Sequence, residues 1–376
     1  MRVLLCLEPS GGGSGRHVAD LAGGLCEGGH EVTLIHGTSR AEPAFLHRVR
    51  SIAQLTTIAQ DNLFRPVGLH DVKALRDLQA IVREHGPFDI LHGHSSKAGA
   101  LMRLLPRSIP GARIYTPHAL RTMDPELGQT SRHIYRLIEA QLARRTDRII
   151  AVSQYEARHA SALGLGSGDR VVTIPNGLAP STLRARDDVR RELGIAPGDF
   201  AVVQVGRLCP QKDPVRFVDA ISIAHRRRPD IRGFLIGDGE LRGDVEAAVA
   251  AHRGVSVLGA RDAAPLLSGF DAFMMTSRYE AFPYTYIEAL QAGLPIITTS
   301  VGGADDVVGP DNGMILPVNA TPELLAEAIL TQCKPARLAE AGAASSARAA
   351  SFTLETMVSN TEQIYHDTLR SLTERV

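Results

Sequence analysis

The chain has 376 residues, 44% hydrophobic, 22% charged and 5% aromatic, with no tryptophan. That length exceeds one ordinary core and predicts two domains of a globular protein, and so few aromatic rings argue against a polysaccharide groove built on stacked rings. The formal charge is zero but unevenly placed: residues 1–185 hold 22 Lys and Arg against 16 Asp and Glu, residues 186–376 hold 19 against 25, and 11 of the 14 histidines lie in the first part. A basic first part suits an anionic lipid surface or a phosphorylated acceptor, or is simply the spread of Arg in an Arg-rich proteome. Nothing resembles a nucleic-acid module, with neither zinc-finger spacing nor an aromatic RNP pattern. Cys6, Cys26, Cys209 and Cys333 form no CxxC pair, so metal and disulfide frameworks lack support and a reducing cytoplasm is expected. The opening MRVLLCLEPSGGG is too short an apolar run for a signal peptide, and no later run approaches the ~18 residues of a membrane span.

In chain order, residues 2–8 (RVLLCLE) read as a buried strand, GGGSGRH as a glycine-rich turn, VADLAGGLCEGG as an apolar-periodic helix and HEVTLIHG as a second strand. This is the repeating unit of a parallel doubly wound sheet. Residues 41–66, with His47, Arg48 and Arg50, lack a clear strand; they read as an amphipathic segment touching membrane or acceptor, or as an ordinary connecting helix plus strand. DILHGHS, ARIYTPHA and DRIIAVS continue the sheet. Residues 174–188 (IPNGLAPSTLRARDD), rich in Pro, Gly and charge, mark a join. FAVVQVGRL, IRGFLIGDG, GVSVLG, AFMMTS, LPIITTS and GMILPV then supply a second strand series. The predicted fold is α/β with two Rossmann-like domains: residues 1–180, completed by a C-terminal helix over about 355–376, and residues 181–354.

Several segments carry chemistry. Gly11-Gly12-Gly13-Ser14-Gly15 follows the first strand and lets a ligand approach the backbone. It is neither a dinucleotide fingerprint, lacking the acid after the second strand, nor a Walker A loop. His118, in TPHAL, follows a strand of the first domain, where ligands bind in such sheets. It is placed to meet a sugar hydroxyl or a developing charge. His92 and His94, in LHGHS, follow a neighbouring strand and can equally be satisfied interior rings. In GRLCPQKD, Arg207 and Lys212 stand five apart at a strand end, a planar fork and a mobile point charge suited to a pyrophosphate, or a merely charged surface loop. Gly237-Asp238-Gly239-Glu240 is a tight turn in which Asp238 binds a hydroxyl or caps a helix. Glu280 and Glu288, separated by seven residues in TSRYEAFPYTYIEALQAGLP, flank the mouth of a helix that starts after Pro283 and closes at Gly293 and Pro295. A helix N-terminus takes phosphates while carboxylates accept hydroxyl hydrogen bonds, which together suit a nucleotide sugar; two solvated acids at a helix start are the alternative.

In order and spacing, GGGSGRH, TPH, IPNGL, VGRLCPQKD, GDGE and E-x7-E running into EALQAGLPIITTSVGG resemble the retaining glycosyltransferases of GT-B fold, family 4, over nearly the whole chain. The resemblance implies two Rossmann-like domains with parallel sheets facing across a cleft, the first for the acceptor and the second for the nucleotide-sugar donor. It implies Arg207 and Lys212 on the diphosphate, Glu288 on the ribose, Glu280 on donor-sugar hydroxyls, Gly12 and Gly13 near phosphate or sugar, and His118 near the sugar. Gly239, Phe282 and Tyr284 border the donor, and the loop near Leu258 is the expected base contact. Ala281 stands where Gly is frequent in the family, Pro283 removes an amide from the donor loop, and Asp305-Asp306 stand where a Glu often follows the VGG turn.

No carboxylate nucleophile is evident near His118, since Asp124 reads as loop, so a two-carboxylate glycosidase mechanism is not indicated. The expected reaction is transfer of a sugar from a UDP- or GDP-sugar to a saccharide or a polyprenyl-diphosphate-linked saccharide in bacterial polysaccharide biosynthesis, with His118, Glu280, Arg207 and Lys212 catalytic, with neither metal nor cofactor, and with retained anomeric configuration. HGHSSKAGAL, residues 92–101, resembles bacterial members that build on a lipid carrier. The expected location is cytoplasmic, peripheral to the inner membrane. The alternatives are a nucleotide-sugar-binding protein without transfer activity and a sugar-nucleotide epimerase of GT-B fold.

Overall fold

The computed structural model describes residues 1–64, 66–166 and 168–374. Arg65 of the 41–66 segment, and Arg375 and Val376 of the expected closing helix, lie outside the described residues. The chain divides into two compact units, Met1–Gly177 with Leu354–Val376, and Leu178–Thr353.

The first unit runs β1 (Arg2–Leu7), α1 (Gly12–Glu27), β2 (Glu31–Gly37), α2 (Pro43–Ser51), β3 (Thr56–Gln60), α3 (His70–His85), β4 (Ile90–His94), α4 (Ser96–Leu104), β5 (Ala112–Thr116), α5 (Gln129–Ala143), β6 (Arg148–Ala151), α6 (Gln154–Ala162) and β7 (Val171–Thr173). Its strands are all parallel, in the order β3-β2-β1-β4-β5-β6-β7. A parallel sheet is covered on both faces, and the residues of β1 divide accordingly. Val3, Leu5 and Leu7 enter one core with Val18, Leu21 and Leu25 of α1. Leu4 and Cys6 enter the opposite core with Leu78 of α3 and Met102 of α4. Residues 41–66 hold α2 and β3, the latter pairing with β2 at Thr33↔Thr56. Phe45 and Val49 of α2 are buried and Arg48 pairs with Asp20, so this stretch is a connecting helix and an edge strand.

The second unit runs α7 (Arg186–Leu193), β8 (Phe200–Val205), α8 (Pro214–Arg227), β9 (Ile231–Ile236), α9 (Arg242–Ala251), β10 (Val255–Gly259), β11 (Ala272–Met275), α10 (Tyr284–Gln291), β12 (Ile296–Thr299), α11 (Ala304–Val307), β13 (Gly313–Leu316), α12 (Pro322–Gln332) and α13 (Pro335–Ala349). Its parallel sheet has the order β10-β9-β8-β11-β12-β13. α14 (Leu354–Thr373) then returns to the first unit, where Met357 and Tyr365 join the core beneath α1.

Both sheets reverse strand order once, between β1 and β4 and between β8 and β11. Neighbouring crossovers there depart to opposite faces and leave a crevice at the carboxyl ends of the strands, where ligands of open α/β sheets bind. No helix among the described residues is long and apolar enough to cross a membrane.

Candidate active site

In the second unit the two loops at the reversal point are tied together through charge. β8 ends at Val205, and residues 206–213 lead into α8; β11 ends at Met275, and residues 276–283 lead into α10. Lys212 Nζ stands 2.6 Å from Glu280 Oε1 across the two loops. Glu280 is buried and also accepts from Ser277 Oγ at 2.8 Å, while Gln211 Nε2 donates to the Tyr279 carbonyl at 3.0 Å. The Arg278 amide donates to the Gln211 carbonyl at 2.8 Å, and Arg278 Nε meets Asp213 Oδ2 at 3.2 Å. Charge-assisted bonds of this kind are the stronger class, and here they fix a cation and a carboxylate side by side at the strand ends. Arg207, in the same loop, is exposed and forms no ion pair among the described residues, so its guanidinium is available to an anion.

Close backbone packing holds these loops. Gly237 has φ +146, and a Cβ there would stand 1.9 Å from the Gly206 carbonyl oxygen. A Cβ on Gly239 would stand 2.4 Å from the Leu208 carbonyl oxygen, and the Leu208 amide donates to the Asp238 carbonyl at 3.0 Å. The GDGE turn thus lies against the GRL turn without intervening side chains. Gly302 packs likewise beneath the Glu280 loop, its would-be Cβ 2.2 Å from the Glu280 carbonyl oxygen.

Glu288 is buried within α10, whose N-cap is Pro283. Phe282 and Tyr284 are buried too; the Phe282 ring packs on Phe352 at 5.5 Å between centroids. These two side chains are as buried as those of Glu280 and Glu288, so burial does not separate the four. The Leu258 carbonyl already accepts from Arg261 Nε at 3.0 Å.

In the first unit, histidines gather at the carboxyl ends of β4 and β5. His94 Nδ1 and His118 Nε2 are 3.1 Å apart, and His17 of α1 stands edge-on to His118 with ring centroids 4.6 Å apart. His17 Nδ1 meets Asn176 Oδ1 at 2.9 Å. Burial lowers the His17 pKa to about 4, against the opposing Asn176 bond. Burial, reinforced by neighbouring imidazoles, holds His94 and His118 well below the usual range, so all three are neutral rings at neutral pH. His92 lies deeper, with Nδ1 on the Tyr365 hydroxyl at 2.7 Å and Nε2 on Thr116 Oγ1 at 2.9 Å. It is a satisfied interior ring. Asp124 is tied to Arg121 at 2.7 Å and accepts the Glu126 amide at 2.9 Å.

His118 and Ala119 both have positive φ, +54 and +82, a conformation L-residues keep only where surroundings impose it. Glu156 imposes it. Its carboxylate is wholly buried and accepts the amides of Ala119 at 2.7 Å and Val152 at 2.9 Å. Burial pushes its pKa up to about 7, against the pull of the Val152, Ala119 and Leu120 amides. Sequence reasoning missed Glu156 because Ser153-x-x-Glu156 is also the signature of a capping box, and Ser153 Oγ does accept the Glu156 amide at 3.0 Å. Glu42 was missed as well: its Oε2 accepts the Gly12 amide at 3.0 Å, placing a carboxylate at the exposed start of α1 beside Gly12 and Gly13.

The family model described as Glycosyltransferase Family 4 matches residues 11–182, and that described as Glycosyl transferases group 1 matches residues 199–334. The UDP-Gal:alpha-D-GlcNAc-diphosphoundecaprenol alpha-1,3-galactosyltransferase of Escherichia coli is 27% identical over 266 residues, 67% of this chain and 68% of that protein. A D-inositol 3-phosphate glycosyltransferase of Pseudarthrobacter chlorophenolicus is 28% identical over 316 residues, 78% and 75% of the two chains. Among solved structures, Anabaena Alr3699/HepE in complex with UDP and glucose superposes with a TM-score of 0.81 at 20% identity, covering 98% of this chain and 100% of that one. WaaG, a glycosyltransferase involved in lipopolysaccharide biosynthesis, does so with a TM-score of 0.73 at 20% identity, covering 96% and 99%.

Proposed function

Since the chain belongs to the GT-B glycosyltransferases of the family 4 type, we propose that it transfers a sugar from a nucleoside-diphosphate sugar, UDP- or GDP-linked, to a saccharide carried on a polyprenyl diphosphate, with retention of anomeric configuration. The observation that carries the donor assignment is the Lys212–Glu280 pair at the strand-order reversal of the second unit. Arg207 and Lys212 neutralise the diphosphate as it leaves, which is stabilisation of charge developing in the transition state. Glu280 accepts from sugar hydroxyls, Glu288 from the ribose, and the backbone around Gly239 and Phe282 borders the nucleotide. His118, neutral through burial, is assigned to the transferred sugar as donor or acceptor of a hydrogen bond. With two fixed cations on the diphosphate, the leaving group needs no metal. An oxygen of the leaving diphosphate takes the acceptor proton on the face it departs from, and that geometry retains configuration.

The lipid-linked acceptor draws support from the diphosphoundecaprenol-linked substrate in the name of the E. coli relative and from the basic first part of the chain. A peripheral membrane contact on the cytoplasmic side follows from the same reading. Its most suitable surface is α5, where Ile134, Leu137 and Ile138 are half exposed among Arg136 and Arg144.

The test is a calorimetric titration with UDP, GDP and ADP and their common sugars, without added metal, on the wild type and on Lys212→Ala. One nucleotide should bind saturably, and Lys212→Ala should weaken it and lower turnover by about 10²–10³-fold. Absence of nucleotide binding by the folded protein sinks the donor assignment. Product of inverted anomeric configuration sinks the retaining mechanism alone.

A further inference from the structure

The histidine cluster of the first unit brings three ring nitrogens together, two of them within hydrogen-bond distance of each other. His17, His94 and His118 each present a ring nitrogen, and these three nitrogens all lie within 4.8 Å of one another. Nitrogens around a tetrahedral ion bound at about 2.0–2.1 Å stand about 3.3 Å apart, and His94 Nδ1 and His118 Nε2 are already 3.1 Å apart. We propose that His17, His94 and His118 form a binding site for one divalent transition-metal ion of the class that prefers imidazole, zinc foremost.

Three features of the surroundings support this assignment. Asn176 Oδ1 holds His17 Nδ1 at 2.9 Å. An amide oxygen there accepts the N–H, so the lone pair falls on Nε2, and an outer partner of this kind orients metal-bound histidines in general. His94 is wholly buried and turns Nδ1 toward His118 Nε2, so that ring is held facing the cluster rather than solvent. His118, the partly exposed member, gives an entry path, while the turn that carries it is pinned by Glu156 rather than free to collapse. Three imidazoles with no carboxylate in the set make a softer site than magnesium or calcium takes, and leave a fourth position open. The cluster lies wholly within the first unit; it shares His118 with the sugar contact proposed above, and a metal titration without nucleotide reads it independently of the donor.

The test uses the full chain, stripped with a chelator and titrated with cobalt(II), whose visible absorption reports tetrahedral nitrogen ligation. The expected result is a saturable band at about one ion per chain, displaced by zinc. It should be lost in His17→Ala and in His94→Ala, and unchanged when the exposed His47 is replaced by Ala. Asn176→Ala leaves all three ligands in place and should weaken affinity by about 10–100-fold. Circular dichroism and the nucleotide titration establish that each variant is folded. Absence of a saturable band in the wild type overturns the proposal, as does a band that survives in both His17→Ala and His94→Ala; the cluster is then a hydrogen-bonded set of neutral rings.

Discussion

Glu156 is the residue whose environment differs most from what its neighbours in sequence suggest. A folded-state acid held above its unfolded value contributes stability at low pH and gives it up as pH rises through the folded value. For Glu156 the window runs from 4.5 to about 7, a span worth on the order of 3 kcal/mol. Glu156→Gln has no such proton to lose. Denaturation midpoints measured at about pH 5 and about pH 8 should therefore show the wild type losing stability relative to the variant across that interval. Parallel curves would mean that the carboxyl does not titrate there. The site was legible where residue type alone announces chemistry. Arg207, Lys212, Glu280 and Glu288 stand out by charge and spacing, and the structure brings Lys212 and Glu280 into contact. Glu42 and His17 were illegible because their partners, Gly12 and Asn176, are 30 and 159 residues away; no local pattern records such a pairing.

At the scale of elements, the strands buried on both faces could be read as continuous apolar runs, and β1, β4, β8 and β11 lie where those runs do. β3 could not: TTIAQ is an exposed edge strand with one fully buried residue, and β7 has only three residues. Neither carries the apolar density that marks a central strand. The turns between elements matter more to the site than the strands do. A Cβ on Gly302 would stand 2.2 and 2.5 Å from the backbone carbonyl oxygens of Glu280 and Ala281, and no flexible side chain can swing aside to admit a methyl. Gly302→Ala should push the Glu280 loop outward, cost about 1–3 kcal/mol, and weaken nucleotide-sugar binding measured by calorimetry. Gly243→Ala, in open space on α9, serves as a control that a helix tolerates or favours. Equal donor affinity in both variants would show that Gly302 does not position Glu280.

For the whole molecule, the uneven charge becomes a prediction about surfaces. The basic stretch of residues 1–185, bearing half-exposed Ile134, Leu137 and Ile138, suits an anionic bilayer, where each Lys or Arg near the surface adds about 1 kcal/mol of attraction and salt screens it. The protein should sediment with vesicles containing anionic lipid and not with neutral ones, and replacing those three residues with Ser should release it. Binding that ignores lipid charge and the three substitutions would place no membrane contact on α5. The path of the chain has a further consequence, for its birth on the ribosome. The second unit is one uninterrupted stretch, Leu178–Thr353, but the first is made of two. Its opening residues emerge earliest, yet Met357 and Tyr365, which finish the same core, emerge only after the whole second unit has been translated. At about 5–20 residues per second, the first unit spends many seconds with the face beneath α1 uncovered. Of the two units, the one begun first is the last to be completed, and that interval is when a chaperone would find it.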